Sequence, residues 1–230
     1  MAQLLSARKP DHQSTASIQL MRWILTLGVI LSVLHVLQAC TWRFREIIPK
    51  AVRPLLIVFQ EESVMTWLSV LTMSALGIVC FLVWHRTGER RWILLGGLFA
   101  YLSMDDACTF HERIGWMIEA RIGRGEVYRW IQFYGPVIGL AGIWAFWTLW
   151  RLFSGIRKRQ VVLLAFACLG LAMGLEVLEK LLRNADMTFR GLHLQVYTIP
   201  IEELLELTGP ALLLGLIGSS LERGEFDPES

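Results

Sequence analysis

Residues 161–182 read VVLLAFACLGLAMGLEVLEKLL, an apolar run free of charge until Glu176 and Glu179 follow within one helical turn. A helix rises about 1.5 Å per residue, so this stretch reaches across the roughly 30 Å of a bilayer's hydrocarbon core. Its length and composition predict a membrane-spanning helix. A carboxylate at membrane depth costs a few kcal/mol, so the two glutamates ask for a functional reason.

Working outward, five more stretches have the same character, at 18–41, 63–84, 92–114, 128–152 and 199–221. The prediction is an all-α, polytopic membrane helical bundle of about six transmembrane helices. A polar tail (1–17) precedes the six-span domain (18–221), and an acidic tail (222–230) follows it. Composition agrees: 54% hydrophobic residues, ten tryptophans and a mean hydropathy of +0.49. Most of the 22 basic residues lie between apolar runs, which suits headgroup anchoring and gives no footprint for nucleic acid. The lipid bilayer is the expected partner, and no protein partner can be read. The cluster GIRKRQ (155–160) is the densest in positive charge, which favours a cell-membrane protein with both termini cytoplasmic.

Smaller signals complete the organisation. Met21–Cys40 ends in a lipobox-like LQAC, but His35 interrupts the apolar stretch, so an uncleaved first span is expected. Pro49 precedes and Pro54 opens an apolar PLLIVF segment (54–59) suited to the interface. Residues 108–123 keep helical spacing beyond the third span. Gly170 and Gly174, Gly135 and Gly139, and Gly96 with Ala100 sit four apart, as close helix contacts in lipid require. The four cysteines form no CxxC pair and read as small hydrophobes, with a Cys40–Cys108 disulfide open.

Acidic residues recur at three span ends: Asp105, Asp106 and Glu112 beside His111; Glu176 and Glu179; Glu202, Glu203 and Glu206. In an alternating bundle, the ends of spans three and five and the start of span six share one face. Asp105 lies about 20 Å beyond Trp92, Glu176 about 22 Å beyond Val161, and Glu206 about 10 Å in from Ile199, so the three reach similar depth. His35, about 20 Å beyond Arg22, reaches it too. Gln132 and Tyr134 enter from the start of span four. Helical phase aligns Asp105 with Glu112 and turns Asp106 and His111 aside, so Asp105 is ranked above Asp106.

Local explanations exist for parts of the set. Glu176 and Lys180 are a favourable i,i+4 pair, and Glu202 and Glu203 follow Pro200 in a first helical turn. Together, however, crowded carboxylates in low dielectric need protons or cations, the arginines 113, 129 and 190 among them. The sequence therefore predicts a carboxylate- and histidine-lined polar site in the outer half of the bilayer. Its first reading is a metal-dependent membrane enzyme acting on a lipid-like or membrane-accessible substrate. His35, Asp105, Glu176 and Glu206 would hold a divalent ion (zinc, iron, manganese or magnesium), with Glu112 or His111 as general acid or base. The alternatives are a proton- or cation-coupled transporter and a scaffold whose polar cluster specifies assembly.

Overall fold

The computed structural model describes residues 15–40, 48–49, 52, 55, 63–123, 129–184, 188–189 and 192–227. These form α1 (Ala16–Cys40), α2 (Val64–Thr87), α3 (Arg90–Cys108), α4 (Phe110–Ile122), α5 (Arg129–Phe133), α6 (Gly135–Leu152), α7 (Ile156–Asn184) and α8 (Gln195–Glu222). A two-residue antiparallel pair, β1 (Thr188–Phe189) with β2 (Leu192–His193), joins α7 to α8. The PLLIVF segment (54–59) falls, apart from residue 55, outside the described residues. So does Arg190.

The fold is the all-α polytopic bundle that the apolar runs predict. Four helices, α1, α2, the first part of α7 and most of α8, are long and apolar enough to cross a membrane. The pair α3 and α4, bent by 60°, makes a fifth if it counts as one span. The expected count of six is therefore four to five. The expected span 128–152 is divided by a turn at Tyr134 into a five-residue and an 18-residue helix, and neither is among the four.

The helices alternate in direction between two ends. At one end Ser17, at the start of α1, hydrogen-bonds through its amide and hydroxyl to Glu222, at the close of α8. At the other, Ser32 donates to the Pro200 carbonyl at 3.3 Å. Helix α8 is the hub: 67% of its apolar window is buried, against 22–39% for the other three spans. Leu207, Leu213 and Ile217 of α8 join Leu76 of α2, Leu95 of α3 and Val162 of α7 in the core. Turns obey local chemistry. Gly88 closes α2 at φ 69°, a left-handed conformation that glycine adopts without strain, and Ser63 caps its start through the Thr66 amide.

Close helix approaches differ from those the glycine spacing suggests. A Cβ on Gly139, Gly170 or Gly174 would meet nothing within 4 Å, because these glycines face outward. Gly96 does mark an approach, since a Cβ there would lie 3.1 Å from the Gly77 carbonyl of α2. Gly209 marks a tighter one: a Cβ there would lie 2.9 Å from the Ala165 carbonyl and 2.7 Å from Leu169. Gly209→Val should therefore push α7 from α8 and destabilise by about 2–3 kcal/mol, whereas Gly170→Ala should leave thermal unfolding near wild type. Equal melting shifts for the two variants would contradict this packing.

The first residues after α8 are a strap across the bundle end. Phe226 packs edge-on against Trp92 and Phe153, with ring centroids 5.2 and 6.2 Å apart. Glu225 pairs with Lys158 at 2.5 Å and with Arg223 at 2.8 Å, and Asp227 lies 3.7 Å from Arg86. Sequence polarity alone suggests a mobile tail; the aromatic anchor and the ion pairs make residues 223–227 part of the fold. Partial burial would raise the Glu225 carboxyl, but hydrogen bonds from Lys158, Ser220 and Arg223 pull it down to about 2. A depressed carboxylate stabilises the fold above its unfolded value and loses that contribution as pH falls toward its folded one. Melting of the wild type should thus fall from about pH 4.5 toward about pH 2 more steeply than melting of Glu225→Gln. Parallel curves would remove Glu225 from the strap's energetics.

Candidate functional site: a carboxylate layer at one end of the bundle

Helix α3 ends at Thr109, which takes a left-handed conformation (φ 53°) and sends α4 off at 60°. The bend returns His111 over the last turn of α3. Its amide donates to Asp105 Oδ1 and its Nδ1 meets Oδ2, each at 3.0 Å. Asp105 thus caps the start of α4 and fixes the imidazole in one step, its negative charge favoured by the helix dipole. It is buried, 6% exposed. The Tyr134 hydroxyl lies near Asp105 and meets the Tyr101 hydroxyl. A carboxylate oxygen accepts, so His111 contributes Nδ1–H to it. That leaves His111 Nε2 as the nitrogen that can take a proton.

The His111 ring stacks edge-on against Trp130, with centroids 4.7 Å apart. Trp130 sits in α5 and is pressed onto Gly115 of α4, where a Cβ would lie 3.3 Å from the Trp130 backbone. Its indole N–H donates to Glu176 Oε1 at 3.1 Å, so Glu176 points into the bundle. Glu206, one turn inside Glu202 and Glu203 on α8, is the common neighbour. Glu176, Glu202 and Glu203 each interact with it electrostatically, and it interacts in turn with Asp106 and His111. Pro210, four residues on, has no amide to offer the Glu206 carbonyl, which loosens the local helix ladder. Glu179 and Glu202 are buried, 7% and 8% exposed.

Asp106, His111, Glu176, Glu179, Glu202, Glu203 and Glu206 therefore gather at one end of the bundle, with exchanges of role. Asp106, ranked low on ideal helix phase, is the α3 residue that interacts with Glu203 and Glu206, while Asp105 turns to His111. Glu112 is half-buried and interacts with His111. Gln132 is exposed and takes a hydrogen bond from Arg129 at 2.8 Å, so it stands outside the layer. His35 is buried on the α1 face that meets α8, 4% exposed, beside Ser32 and Gln38. Among the described residues no three His, Cys, Asp or Glu side chains are arranged to hold a metal ion. The predicted quartet of His35, Asp105, Glu176 and Glu206 therefore gives no such centre in this conformation.

Two of the three expected arginine counterions are engaged elsewhere, and Arg190 lies outside the described residues. Arg113 donates to the Cys108 carbonyl and Thr109, and Arg129 to the Gly123 carbonyl. The ion pair found within the layer, among the described residues, is His111–Asp105. All four cysteines are free thiols, so the Cys40–Cys108 disulfide is not formed. Trp130 and Tyr101 also reach the layer, and neither carries a charge that would mark it in the sequence.

A family model covers residues 15–219, nearly the whole bundle and all of the layer. The chain belongs to that family, a domain of unknown function designated DUF8692. The match takes in α1 to α7 and all but the last three residues of α8, so this DUF8692 chain carries its acidic layer inside the family domain. No curated protein and no solved structure matches it.

Proposed function

We propose that the chain is a proton-handling membrane protein whose carboxylate layer takes up a cationic solute in exchange for protons. The observation that carries this reading is the position of Glu206. Three glutamates of two helices, Asp106 of a third and His111 all interact with it. Like charges gathered in low dielectric cannot all stay ionised, so the group must share protons or bind a cation. Carboxylates spread over three helices suit mobile protons and a multi-atom organic cation better than one compact metal ion. Acidic residues used this way are typical of proton-coupled carriers, where binding at a polar site within the bilayer alternates with release. The basic turns at the opposite end favour the cell membrane with that end cytoplasmic.

The test is purified protein in liposomes loaded with a pH-sensitive dye. Inward gradients of ammonium-type cations, from primary amines to quaternary ones, are imposed alongside sodium and potassium. At least one class should drive a luminal pH change that Glu206→Gln removes. A panel without any pH change in the wild type would end the proposal.

One feature favours a second reading. Both oxygens of Asp105 hold His111, an arrangement that orients a general base. In a membrane enzyme of that kind His111 would accept a proton from substrate or water at Nε2, and Glu206→Gln would leave turnover largely intact.

A further inference from the structure

Helix α4 leaves the end of α3 at 60° and is only 13 residues long, too short to cross a bilayer alone. One side of it is occupied: Gly115 is pressed against Trp130, and His111 is held by Asp105. The opposite side is bare. Met117 is 64% exposed, Trp116 60% and Ile114 36%, and the exposed Arg113 and Arg121 flank them. Apolar side chains between two arginines are the pattern of a helix lying in the headgroup plane, with the cations reaching lipid phosphate.

We propose that α4 is an interfacial helix whose outward face docks on anionic phospholipid, with Ile114, Trp116 and Met117 in the acyl boundary and Arg113 and Arg121 on phosphate. Charge complementarity and the 60° departure of α4 from the end of α3 both point to that occupant. The consequence reaches inward, because the same helix carries His111 on its packed side. Lipid held by the outer face steadies the imidazole over Asp105. The inference rests on the membrane-spanning fold and stands apart from the proton-exchange reading.

The test uses the full chain in nanodiscs of phosphatidylcholine with or without phosphatidylglycerol. A nitroxide is placed at Met117→Cys, after Cys40→Ala and Cys108→Ala, with Leu171→Cys on α7 as the hydrocarbon reference and Arg157→Cys as the aqueous one. Collision with oxygen and with a water-soluble nickel chelate should put position 117 between the references. In unlabelled protein, phosphatidylglycerol should slow amide exchange in α4, and Arg121→Gln should remove about fivefold of that protection, the worth of one arginine near an anionic surface. A label as wet as position 157, one as deep as position 171, or exchange indifferent to phosphatidylglycerol would overturn the proposal.

Discussion

Glu206→Gln is expected to cut proton exchange by roughly a hundredfold, the scale on which removal of a positioned proton-transferring group acts. Glutamine keeps the shape but cannot carry the proton. It also takes one negative charge out of a crowded group, so stability should hold or rise by about 1 kcal/mol. Liposome flux and thermal unfolding on the same preparation separate the two effects. A folded variant that exchanges protons at the wild-type rate would remove Glu206 from the centre of the layer.

Asp105→Asn should have the largest effect on stability. It withdraws a buried charged acceptor from His111 Nδ1 and weakens the cap on α4. Breaking a buried pair costs about 3–5 kcal/mol and a lost cap about 1 kcal/mol, so a fall near 3 kcal/mol is expected once asparagine's own oxygen still serves the His111 amide. His111→Gln should cost less, since Asp105 then keeps the backbone amide of position 111. The double variant should fall short of the sum by about 1–3 kcal/mol, the coupling typical of groups in direct contact. Additive losses in chemical denaturation would mean that the two side chains act independently.

Much of this is legible in the sequence itself, because burial of charge is expensive enough to leave a mark there. Glu206 interrupts an apolar run with no local cation to explain it, Glu176 has only Lys180 beside it, and alternation of helices is enough to bring their ends together. Asp105 and Asp106 show where that reasoning stops. Phase on an ideal helix turns Asp106 and His111 aside, but Thr109 breaks the helix, and the 60° bend sets His111 over Asp105 while Asp106 interacts with Glu206. A left-handed threonine leaves no pattern in composition or period. Gly209 escaped for a related cause: its importance comes from Ala165 and Leu169 on another helix, not from spacing along its own. The docked Phe226 was hidden in a segment whose neighbours are nearly all polar. His35 and Gln132 lie at heights that suit the layer, yet height is only one coordinate, and Gln132 turns outward to Arg129.

The central claim is that the layer holds exchangeable protons which a cation displaces. Infrared difference spectroscopy on lipid-reconstituted protein tests it most directly, because protonated and ionised carboxyl groups absorb at separate frequencies. Adding the cation that drives pH change should remove protonated-carboxyl bands from the wild type, with matching proton release into an unbuffered medium, and Glu206→Gln should lack both. A wild-type spectrum that holds no protonated carboxyl before the cation is added, or one that the cation leaves unchanged, would contradict it.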